Sequence, residues 1–241
     1  MNDETSLIVR PRDYADIIQL QDATVLDDFL KEPLTFIAET ITGALAVGKT
    51  GAMVAGGRIV QALLKGQTFK QWGKEFRALR DAGRIPDDFA EKKYGFQTWV
   101  DLMTVIDEES PDVDRLEALK AIFYAVNKVN ADDQDRVVAY QLWRITKQLN
   151  SGDLLLLKTF YEKDHHFGEL QYGQWLAQLT SLSGMDVMEL VQLHISRLLE
   201  SRLLIETQTA NVQKKAEISN LGRRLYSNIN TYRIDLENAT A

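Results

Sequence analysis

LLIETQTANVQKKAEISNLGRRLYSNINTY, residues 203–232, decides the fold of this chain. Within it, LLIETQT and KKAEISN read as two short strands, and NLGRRLYSNINTY reads as a closing helix. Working backwards, Asp186 to Glu200 has a helical pattern, and so does the segment around Trp175 and Leu179. The polar link KDHHFGELQ precedes them, and before it a helix carries Leu154 to Phe160. Ser151 reads as the N-cap of that helix, with Asp153 near its positive end and no full capping box. Three helices, a hairpin and a helix are the order of a winged-helix module, in which a small β-wing packs beside a three-helix core.

Upstream of residue 150 every segment reads as helix. Asp132 to Leu149 places Val137, Val138, Tyr140, Leu142, Trp143 and Ile145 at helical spacing. Asp112 to Lys128 does the same with Val113, Leu116, Leu119, Ile122, Phe123 and Val126, so two antiparallel helices joined near Asn130 are expected. GFQTWVDLMTVIDEE sets Phe96, Trp99, Val100, Met103 and Ile106 on one side. TFKQWGKEFRALRDAG is a basic amphipathic helix through Phe69, Trp72, Phe76 and Leu79, stopped by Gly83. The expected architecture is mainly α: an N-terminal arm over 1–32, a helical bundle over 33–150, and a winged-helix-like C-terminal module with a short β-hairpin over 151–241.

Composition narrows the function. With 241 residues and 45% hydrophobic content the chain can bury a real core. It has no cysteine, which excludes disulfides, thiolate metal sites and a cysteine nucleophile. The start, MNDETSLIVRPRDY, is acidic and lacks an apolar core, so it does not read as a secretory signal. A cytoplasmic address is expected, with a peripheral place at the inner membrane as a variant of it. The net charge of −7 and pI near 5.1 disfavour nucleic acid as a partner. Lys214, Lys215, Arg223 and Arg224, beside the hairpin, are the local cluster through which DNA contact would have to run.

One string imitates an enzyme. Gly43, Gly48, Lys49 and Thr50 fit GxxxxGK[ST], the loop that wraps nucleotide phosphates with backbone N–H groups, Lys and a magnesium-holding hydroxyl. LMTVIDE, residues 102–108, resembles the apolar strand ending in an acid that would complete a magnesium site. The context opposes both. IAETIT is a poor buried strand, Ala, Leu, Ala and Val fill the variable positions, and no strands follow between 110 and 200. The favoured reading is a small-residue helix whose Gly43, Gly48, Gly51, Ala55 and Gly56 let another backbone approach, inside the protein or at a partner. Membrane insertion after a trigger is the sharper alternative, although Glu39, Lys49 and Arg58 divide the apolar run.

The remaining polar groups read as structural. His165 and His166, with Asp164 and Glu169, are expected in a solvated link, and His194 as a partly buried, satisfied histidine. No Ser, His and acid spacing suggests a triad. Asp107, Glu108, Glu109, Asp112 and Asp114, and then Asp132, Asp133 and Asp135, flank helix starts, where the dipole favours negative charge. No metal site, cofactor or catalytic residue is expected.

The Gly/Ala-rich helix, the basic helix with Trp72, the turn at Ile85 and Pro86, the acidic break before Asp114, RVVAYQLWRITKQLNSGDLLLLK, and LLIETQT…ISNLGRRLY together form a layout. That layout, over Ala38 to Tyr226, resembles the abortive-infection Abi-alpha family of bacterial phage-resistance proteins. The resemblance implies a non-enzymatic defence protein acting through a protein partner, self-association or a membrane, and it carries no catalytic residues over. The alternatives are a winged-helix DNA-binding regulator and, after it, a P-loop nucleotide-binding protein.

Overall fold

The computed structural model describes residues 68–108, 112–163, 170–208 and 214–241. The chain divides into two compact units. One comprises Ala78–Met103 and Pro111–Ala241; in the other, the described residues are 68–77 and 104–108. The protein is mainly helical, with a small two-stranded antiparallel sheet near the C-terminus.

Helix α1, over 68–81, buries Trp72, Phe76 and Leu79 at helical spacing, and the Trp72 and Phe76 rings lie 5.9 Å apart. Gly83, at φ +67°, lets Arg84 N–H reach back to the Leu79 carbonyl at 2.8 Å and ends the helix. Helix α2, Gly95–Glu108, buries Thr98, Trp99, Leu102 and Ile106. The buried stripe is thus centred on Leu102, and Phe96, expected on it, is 44% exposed.

Helix α3, Val113–Asn127, is the centre of the larger unit and contacts α4 (Asp133–Thr146), α5 (Ser151–Lys163) and α8 (Asn220–Thr240). Every residue from 118 to 127 is buried, Lys120 and Asn127 included. A helix enclosed on all sides carries apolar groups all round, so the single stripe expected here understates it. Val113, placed on that stripe by spacing, is instead 78% exposed at the first turn. Each fully buried Leu, Ile or Phe of α3 contributes about 1.5–3 kcal/mol through burial.

The N-termini are capped by the acids read at helix starts. Asp112 accepts Arg115 N–H at 3.0 Å for α3, and Asp132 accepts Asp135 N–H at 2.7 Å for α4. At α5 the register differs from expectation by one residue. Asn150, not Ser151, is the cap: its Oδ1 accepts Asp153 N–H at 3.0 Å, and its own N–H donates to Asp153 Oδ2 at 3.0 Å. That reciprocal pair is a capping box built from Asn and Asp, so the box judged absent is present. Ser151 instead gives its N–H, at 2.7 Å, and its hydroxyl to Asp112. One carboxylate thereby joins the starts of α3 and α5.

Helices α5, α6 (Tyr172–Ser183) and α7 (Met188–Glu200) touch one another pairwise. Strand β1, Leu204–Gln208, follows and pairs antiparallel with β2, Lys214–Ile218, Leu204 standing opposite Ile218 and Glu206 opposite Ala216. Leu203, Leu204, Ala216 and Ile218 are buried, while Ile205 is 49% exposed. Helix α8 is fastened by polar side chains as well as apolar ones. Arg233 grips Glu117 of α3 with two bonds of 2.5 and 2.7 Å. Tyr124 of α3 donates to Asp235 at 2.7 Å, and Tyr226 donates to Glu162 of α5 at 3.3 Å.

Candidate functional site

The most concentrated polar chemistry inside the larger unit surrounds Asp153, whose side chain is fully buried in the first turn of α5. Its Oδ1 lies 2.7 Å from His194 Nδ1, and its Oδ2, besides accepting Asn150 N–H, lies 3.4 Å from Arg197 Nη2. His194 and Arg197 stand one turn apart on α7, and Arg197 also donates to the Gln148 carbonyl at 3.1 Å. A buried carboxylate has to be compensated this way. The 2.7 Å contact between Asp153 Oδ1 and His194 Nδ1 fixes the orientation of the ring and directs Nε2 towards Gly152.

A carboxylate holding an imidazole by Nδ1 is also the orienting half of a catalytic triad, in which Nε2 faces a nucleophile. Here Nε2 faces the Gly152 backbone so closely that a β-carbon on Gly152 would sit 2.4 Å from it. Ser151, the neighbouring hydroxyl, is turned to Asp112. The arrangement locks α7 onto the start of α5. Sequence reading placed His194 as a satisfied histidine and Asp153 as a dipole partner, but could not pair them across 41 positions. Burial pulls the Asp112 carboxyl up, but the Ser151 hydroxyl and the Arg115 and Ser151 amides outweigh it and hold the group below its usual value of 3.8.

The basic cluster is distributed differently from its appearance in sequence. Lys215 is only 7% exposed, and Lys214 pairs with Gln208 at the loop end of the hairpin. Arg224 is engaged with Asp135 of α4. Arg223 and Arg224 are exposed on the first turn of α8, where they line a shallow depression with Tyr161, Asn220 and Ser227. A second depression, about 290 Å3, lies between α6, α7 and the hairpin, and Trp175, Ile195, Leu199, Glu206 and Lys215 line it.

Helix α7 has a sided surface that spacing alone did not single out. Val191, His194, Ile195 and Leu198 are buried, while Leu190 is 46% and Leu193 53% exposed. Asp186, Glu189, Gln192, Ser196 and Glu200 share the exposed side. No lysine or arginine stands between Lys163 and Arg197 in the chain. A count of charge along the chain would have revealed this.

Gly43, Gly48, Lys49, Thr50, Gly51 and Gly56 lie outside the described residues, as do the 1–32 arm, Glu109, and His165 and His166. Among the described residues, no group of His, Asp and Glu has metal-site geometry, and no helix is long and apolar enough to cross a membrane. The fold and the site define a mainly helical protein with a hairpin and a buried Asp–His–Arg lock. No protein-family model, no curated protein and no solved structure matches the chain.

Proposed function

We propose that this chain is a non-enzymatic, abortive-infection-like phage-defence protein of bacteria that works through protein interaction. In this reading, α5, α6, α7, the hairpin and α8 form a winged-helix-like module. The defence role is supported by the family-like layout of the segments, and the mode of action by one observation: the exposed side of α7. In a DNA-reading module of this order, that helix enters the major groove and cations contact the phosphates around it. Here the position holds Leu190, Leu193, Glu189 and Glu200, and the arginine of that helix, Arg197, is tied to Asp153 and Gln148. Carboxylates repel a phosphate backbone, and partly exposed leucines beside them suit a protein surface.

The test is a plaque assay in a bacterial host carrying the gene, challenged with a panel of phages. Wild-type cells are expected to reduce plaque numbers for at least one phage. A Lys49→Ala variant, expressed at the same level, is expected to protect equally well. No protection against any phage overturns the defence reading, and protection lost in Lys49→Ala moves the assignment to nucleotide chemistry. A specific, salt-dependent gel shift with duplex DNA that Arg223→Ala abolishes would favour the regulator instead.

A further inference from the structure

Resting on the protein-interaction reading, we propose that the exposed side of α7 docks a basic amphipathic helix of a partner protein. Leu190 and Leu193 stand one turn apart, each about half exposed, and Val187 and Met188 at the start of the helix are 47% and 41% exposed. Val187, Leu190 and Leu193, three positions apart, fall on one line along the helix, and Met188 lies on its other flank. Asp186 and Glu189 border the patch at one end and Glu200 at the other. Arg197, the only cation on α7, is held by Asp153 and the Gln148 carbonyl. Beside Leu193 stand Glu189, one turn before it, and Glu200, two turns after it, while the charge of Arg197 is already met by Asp153.

That charge selects the occupant. A second copy seated face to face would bring Glu189 and Glu200 against their own equivalents, and like charges across an interface cost affinity. An anionic lipid surface would meet the same carboxylates. A helix with leucines on one stripe and lysines or arginines beside it matches both features: apolar side chains cover Leu190 and Leu193, and cations meet the rim. The buried lock beneath, Asp153 with His194 and Arg197, holds α7 on α5, so the face is presented on a fixed element.

The experiment measures binding of two fluorescent helical peptides to the full chain. Both carry the same leucine stripe; one is flanked by lysines and the other by glutamates. The lysine-flanked peptide is expected to bind, more weakly as salt rises, and the glutamate-flanked one not to bind. Leu193→Gln is expected to weaken binding about tenfold or more, because central apolar contacts carry most interface energy. Glu189→Gln is expected to reduce the salt dependence. Leu193 is half exposed, so an unchanged melting curve certifies that the variant is folded. Equal binding of the two peptides, binding of neither, or binding indifferent to Leu193→Gln overturns the proposal. So does capture by phosphatidylglycerol vesicles, or a dimer in sedimentation, that Leu193→Gln abolishes. If the peptides fail while wild-type cells still block phage, the docking proposal falls alone. If wild-type cells fail to block phage, the defence reading falls whatever the peptides do.

Discussion

A methyl group at Gly152 would come within 2.4 Å of His194 Nε2, and the imidazole cannot turn aside without giving up its 2.7 Å bond to the buried Asp153 carboxylate. The glycine therefore serves a contact between two helices. Gly152→Ala is expected to destabilise the larger unit by about 1.5–3 kcal/mol, the usual worth of a hydrogen bond to a charged group, since Arg197 and the Asn150 N–H still face Asp153. Thermal unfolding measures it. In a His194→Ala background the same substitution should cost much less, because the ring it strikes is gone. Equal costs in both backgrounds would mean that the glycine matters for another reason. Asp112 makes the complementary point: one carboxylate accepts from both Arg115 and Ser151, so one side chain fixes two helix starts.

Helix α8 shows what element-level packing adds. It is 21 residues long and is tied to α3 through Arg233–Glu117 and Tyr124–Asp235, and to α5 through Tyr226–Glu162. Burial, with the Glu162 charge second, pushes the Tyr226 phenol up to about 12 from its ordinary 10.0. Burial and the Asp235 hydrogen bond raise Tyr124 further still. Between pH 10.0 and about 12 the folded chain keeps a proton on Tyr226 that the unfolded chain has released, so stability must fall as pH rises through that window. Phenolate absorbance during a titration should show Tyr226 and Tyr124 ionising late, in step with loss of helix signal. Tyr226→Phe should remove one late component and flatten part of the decline.

At the scale of the molecule, the element order was legible in sequence because each segment carries its own period and its own stop signal. Gly83 and the acids at Asp112 and Asp132 acted where local chemistry places them. What sequence could not give depends on neighbours. Whether α3 has one covered side or no open side is decided by α4, α5 and α8 arriving around it. Phe96 and Val113 have apolar character but stay exposed among the described residues. Lys214, Lys215, Arg223 and Arg224 are close in sequence, yet Lys215 is buried and Arg224 is drawn to an acid from another helix. The Asp153 lock needed the fold to bring α5 and α7 together. Both sides of Asn150 lie in one compact unit, so a fragment beginning at Ser151 would leave the α3-facing sides of α5 and α8 uncovered. Such a fragment is expected to be poorly soluble or to bind a hydrophobic dye, whereas a fragment beginning at Ala78 should give a cooperative melt. A cooperative melt of the 151–241 piece would contradict this.

The enclosure of residues 118–127 also bears on how this protein can change over generations. A helix with no outer side has no position at which a substitution goes unfelt, since any added or lost volume meets a close-packed neighbour. Heritable variation is therefore steered to the outward side of α7 and to outward strand positions such as Ile205. There a chain can acquire new partners while its centre is held nearly constant.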